Sequence, residues 1–231
     1  MGVSMPRQSF TPYEAPAQED VGARAVRLAT ALAVLSMMTS APPSPGLLEN
    51  LREADMLDRW PLRDEQSAAG VAMLRAVALA RDGALHEDFQ DLLGPAGRIS
   101  PVLPDDEVAS IVADCSALGF RAPHSGGLST GHIAALMARA GFLATARGQA
   151  IHAGDHAQAE ALREALARLI DESLGPLAEQ VARGAQEHAR TSMYAALAPL
   201  LRGAVAEADS LCSQRAPMAA GTADDQAPGD G

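Results

Sequence analysis

His152 and His156 stand four residues apart, with Asp155 between them and Glu160 just beyond. At that spacing two imidazoles on one helical turn can share a metal ion. A structural site needs four good ligands, and the two cysteines, Cys115 and Cys212, are remote in sequence. A polar helix start beside solvent explains the pair, so no metal is expected. His132 follows Ser129 and Thr130, a hydroxyl–imidazole neighbourhood suited to acid–base or nucleophilic work. No nucleophile-elbow glycine pattern and no third member accompany it, and His132 reads as a satisfied or partner-facing histidine. His86-Glu87-Asp88 lacks an HExxH continuation and reads as a solvated helix face. Asp105-Asp106-Glu107 combines a helix cap with first-turn carboxylates favoured by the helix dipole. The same three carboxylates offer a second chemistry, bidentate pairing with the arginines of a partner. No catalytic residue and no cofactor site is expected. An enzyme using His132 or the His152/His156 pair is kept as an alternative.

Composition narrows the field further. All 18 basic residues are arginine, which removes lysine Schiff-base chemistry and the phosphate-loop lysine. The net charge is −11; residues 1–20 and 213–231 each carry −2, which leaves −7 on the body. Phosphate backbones need clustered positive charge, so the acidic body argues against a nucleic-acid partner; it suits a basic protein segment, or serves solubility alone. Two cysteines are too few for a disulfide framework, and Cys115, on an apolar helix face, is expected in the core. The apolar run 28–38 is eleven residues long and is followed by PPSP, too short for a bilayer span. Glu14, Glu19 and Asp20 ahead of it do not suit the basic start of a signal peptide. A cytoplasmic chain without stable membrane insertion is expected.

The elements that must position these residues are helices. Aromatics make up only 3%, and no alternating run of Val, Ile, Thr and aromatics supports a sheet. Val21, Ala25, Leu28, Leu32 and Leu35 form one long apolar stripe, ended by the prolines of 41–46. Ser44-Pro45 is an N-cap and first-turn pair for a short helix through Leu47, Leu48 and Leu51. Trp60, the single tryptophan, precedes Pro61 at an extended turn and reads as a core anchor, with a groove-lining role as the alternative. Leu85, Phe89, Leu92 and Leu93 share one helix face, and Gly94-Pro95 stops that helix. Pro95, Pro101 and Pro104 stiffen the following loop, and Asp105 sits at the expected N-cap before Val108, Ile111, Val112 and Cys115. Residues 121–131 read as a linker, after which Ser129 or Thr130 caps a helix through Ile133, Leu136, Met137 and Leu143. His132 then falls in its first turn, where the dipole disfavours the imidazolium. Pro176 is expected to kink or restart the helix that follows Asp155, and the last helix carries Tyr194, Leu197, Leu201 and Val205. Residues 1–20 and 213–231 are expected to be disordered, around an all-α domain over 21–212 that is one large bundle or two lobes hinged near 121–131.

The stretch FQDLLGP (89–95) with its proline-bearing loop resembles the aromatic-x-x-Leu-Phe-x-Gly-Pro signature of the TorD/DmsD/NarJ family of redox-enzyme maturation chaperones. The likeness continues in order through APPSPGLLENL (41–51), RWPL (59–62), GHIAALMARAGFLA (131–144) and TSMYAALAPLLRGAV (191–205). The resemblance implies a TorD-like helical domain that catalyses nothing and binds the signal peptide or N-terminal segment of an apo-molybdoenzyme catalytic subunit. It would hold that client for cofactor insertion before export or membrane docking, as a monomer or a domain-swapped dimer. The positions implied to contact the client are Phe89, Leu92, Leu93, Gly94 and Pro95, then Gly131 and His132, with Asp105, Asp106 and Glu107 added for a twin-arginine pair. Three departures stand out: Leu93 replaces the usual second aromatic, Gly131 replaces the aspartate before the histidine, and Pro104-Asp105-Asp106-Glu107-Val108 stands where the proline-rich loop commonly ends in Ser-x-Tyr. Without the resemblance, a helical adaptor or regulator of an unrelated protein is the remaining reading.

Overall fold

In the computed structural model, which describes residues 20–122 and 127–214, the Asp20 carboxylate accepts a 3.1 Å hydrogen bond from the Gly22 N–H. That cap opens α1, Val21–Ser40, whose Ala25, Leu28, Leu32 and Leu35 are buried as the stripe requires. The ends expected to be disordered lie outside the described residues, apart from Asp20, Ser213 and Gln214, as do positions 123–126 of the expected hinge. Ser44 caps α2, Pro45–Arg52, and a short α3, Ala54–Asp58, leads to Trp60, which is buried in the core. Asp64 caps α4, Glu65–Leu74, which tightens into a 3-10 turn over Arg75–Leu79. Then come α5, Asp82–Leu92, and α6, Asp105–Ala117. The long α7 spans Ile133–His152 and α8 spans His156–Leu169. The chain ends with α9, Gly175–His188, α10, Ser192–Ala195, and α11, Leu197–Ser213. Among the described residues the single β pairing is an isolated bridge between Val102 and His132, so the domain is an all-α bundle.

Small residues set the closest helix pair. α1 and α7 run antiparallel, with Gly148 against Gly22 and Gly141 against Ala29. A Cβ on Gly148 would lie 2.9 Å from the Gly22 Cα, so the two backbones meet with no side chain between them. By length and composition α1 could cross a membrane; here it packs along α7 and α11. α11 in turn packs on α4 and α9. Its carboxyl end is capped from the side: buried Arg147 donates to the Leu211 and Gln214 carbonyls, and Arg163 donates to the Cys212 carbonyl (3.2 Å). Cationic donors at a helix C-terminus satisfy its orphan carbonyls and oppose the dipole.

Pro176 stands where the helix restarts, in the first turn of α9. α8 runs into α9 through a π-helical turn over Ile170–Leu174, where the Gly175 N–H donates to the Ile170 carbonyl five residues back. The wider turn absorbs a proline that has no N–H and whose ring would strike the carbonyl four residues earlier in a regular helix.

Asp88 also departs from the expected solvated face. It is fully buried, and its carboxylate accepts from the backbone N–H groups of Arg190 (3.1 Å) and Thr191 (2.8 Å) and from the Thr191 hydroxyl (2.6 Å). One carboxylate thus pins α5 to the turn between α9 and α10.

Candidate functional site

The Gly-Pro turn presents its polar side outward. Phe89, Leu92, Leu93 and Gly94 are buried and build the core, where the Phe89 ring lies 6.1 Å from that of Tyr194. Pro95 is exposed and, with Gln90, Asp91, Ala96 and Arg98, lines an open cleft of about 500 Å³. The apolar residues expected to meet a client at this turn therefore face inward.

From the turn the chain is zipped toward α7. The Ile99 N–H donates to the Leu92 carbonyl (2.9 Å), the Leu103 N–H to the Gly131 carbonyl (3.1 Å), and the Ile133 N–H to the Pro101 carbonyl (2.8 Å). Gly131 is held so tightly that an added Cβ would sit 2.2 Å from the Leu103 carbonyl oxygen. No side chain fits at position 131. His132, rather than Ser129 or Thr130, caps α7, its Nδ1 accepting from the Ala134 N–H at 3.1 Å. Burial pushes its pKa below the ordinary 6.5, so the ring is neutral, as its acceptor role demands.

Asp105 is the first helical residue of α6, with Pro104 in the cap position, and its carboxylate is used elsewhere. It accepts from the hydroxyls of Thr130 (2.8 Å) and Ser129 (3.0 Å), and these bonds hold its pKa below the usual carboxylate value. Proline suits this boundary because its fixed φ leads into a helix. Asp106 and Glu107 are exposed beside it and make no side-chain bond among the described residues. Asp105, Asp106, Glu107, Gly131 and His132 are thus gathered at the heads of α6 and α7, while Phe89, Leu92 and Leu93 lie in the core.

Ser129 and Thr130 also line a largely apolar cavity of about 220 Å³ between the end of α1 and the start of α7. Met37, half exposed, stands at its edge, and Phe120, Leu128, Ala134 and Ala138 supply its walls. Arg139 closes it: only 4% exposed, it donates from Nη1 to the carbonyls of Thr130 (3.1 Å) and Ala135 (3.0 Å), and its guanidinium lies 5.3 Å from the Phe120 ring centre. Met37, Phe120 and Arg139 were not among the expected site residues. One signal was available, an arginine three residues after Leu136 on the apolar phase of a helix.

The remaining candidates stay apart. His152 and His156 are exposed, and among the described residues no group of three or more His, Cys, Asp or Glu side chains is placed to hold a metal. Cys115 and Cys212 are both buried free thiols, and burial pushes the Cys212 thiol up to about 11. No protein-family model matches the chain, and no curated protein matches it.

Proposed function

We propose that this chain is a binding module of the TorD-like kind, a cytoplasmic chaperone for the signal peptide or N-terminal segment of an apo-molybdoenzyme. The observation that carries the reading is the acidic head of α6, clipped through Asp105 to the rim of the apolar cavity beside Met37. A twin-arginine leader offers guanidiniums followed by an apolar run. Asp106 and Glu107 are exposed to take the guanidiniums, and the cavity mouth and Met37 offer apolar surface for the run. Asp105 holds the rim in place and keeps its charge there. The order of the sequence motifs supports the choice of redox-enzyme client. In this reading the Gly-Pro turn acts by fixing the loop that pairs with Gly131, and the protein performs no chemistry of its own.

The experiment is a fluorescence-anisotropy titration of the full chain with a labelled twin-arginine leader peptide. Asp106→Asn with Glu107→Gln should weaken binding by about tenfold or more, since two charge-assisted contacts are lost. Replacing both peptide arginines by glutamine should do the same. Equal affinity for all of these combinations would reject the acidic head of α6 as the client site.

A further inference from the structure

A buried guanidinium normally has a carboxylate beside it, because an uncompensated charge in apolar surroundings is costly. Arg139 has none: it makes no ion pair among the described residues, and its Nε is buried without a hydrogen-bond partner. The ionisable neighbour that acts on it is the Cys115 thiol, which burial holds neutral. Asp105 grips the side chain of Thr130 while Arg139 grips the same residue's carbonyl, and the two charges form no pair. Beside this cation lies an apolar cavity of about 220 Å³. At about 30 Å³ per water that space equals roughly seven waters, enough for a short-chain acid and too small for a nucleotide or a helix.

We propose that this cavity is a binding site for a short apolar monocarboxylate, its tail among Phe120, Leu128, Ala134 and Ala138 and its carboxylate on Arg139. The Phe120 ring and the two carbonyls that hold Nη1 fix the guanidinium in advance, so little ordering is needed on binding. The site supplies one cationic donor group and apolar walls, which selects a single negative charge on a compact hydrocarbon. This inference does not depend on the chaperone reading, since octanoate binding is measured with no leader peptide present.

Isothermal titration of the full chain with octanoate tests it, with octan-1-ol and octylamine as same-length controls. Octanoate should bind with about tenfold or greater preference over either control. Arg139→Gln should abolish that preference, and Ala138→Phe, which fills the cavity and keeps the charge, should abolish octanoate binding. The second variant decides the matter if the first fails to fold. No binding of octanoate at millimolar concentration would overturn the proposal, as would equal binding of octanol or undiminished binding in Ala138→Phe. Binding of a peptide with an apolar free C-terminus in place of octanoate would overturn it too, and assign the cavity to a protein end.

Discussion

A single missing Cβ decides what Gly131 can be. The Leu103 carbonyl occupies the space any side chain at this position would need. Gly131→Asp should therefore destabilise the protein. Overpacking of this kind costs about 1–3 kcal/mol, and for a chain of this size each kcal/mol lowers Tm by roughly 2–4 °C. A thermal melt measures it, and an unchanged or raised Tm would refute the packing argument. The neighbouring His132 makes a pH prediction. Its folded-state pKa lies below the ordinary 6.5, so on acidification the unfolded chain takes up the proton first. The stability it contributes is present in full above 6.5 and falls as pH drops below that value. Protonation would also remove the acceptor that caps α7. His132→Asn keeps a capping oxygen that does not titrate. Denaturant melts at about pH 7.5 and about pH 5.5 should show a smaller loss on acidification for the variant than for the parent chain.

At the scale of elements, the α1–α7 pair carries a size limit in its glycines. Gly148→Leu should separate the two helices and destabilise the domain by about 1–3 kcal/mol, whereas Gly46→Ala, where a Cβ meets nothing within 4 Å, should change little. Chemical denaturation compares the two. Most helices were legible because their apolar residues repeat at 3.6: the stripes of α1, α5 and α11 are buried over most of their length, although Val21 and Val205 are only partly covered and Tyr194, expected on the last helix, falls in α10. What was illegible depended on partners far away in the chain. Asp88 looked like solvated surface because residues 190 and 191, which donate to its carboxylate, lie about a hundred positions on. Arg139 and Arg147 sit on the apolar phase of α7, and only the arrangement of neighbouring elements reveals that one caps α11 while the other closes a cavity. The site was half legible. Its acidic turn could be read from three adjacent carboxylates, but the apolar surface beside it comes from α1 and α7 and not from the Gly-Pro helix.

For the molecule as a whole, charge and shape make different demands on a partner. The net charge of −11 favours encounter with a basic segment, and such steering weakens with salt. Leader-peptide affinity should fall when salt is raised from about 0.05 to about 0.5 M, while neutralising Asp106 and Glu107 should flatten that dependence. A salt-independent affinity would mean that apolar contact alone holds the client. The same bundle also contains a tolerance that a plain helix lacks. The five-residue reach from Gly175 to Ile170 means the rod from His156 to His188 carries one amino acid more than an unbroken α-helix needs to present the same two faces. Deleting Ser173 alone should cost about 3 kcal/mol, because Pro176 would then meet the carbonyl it now avoids. Deleting Ser173 together with Pro176→Ala should recover most of that loss. The proline and the surplus residue would then be two halves of one local accommodation, each harmful without the other.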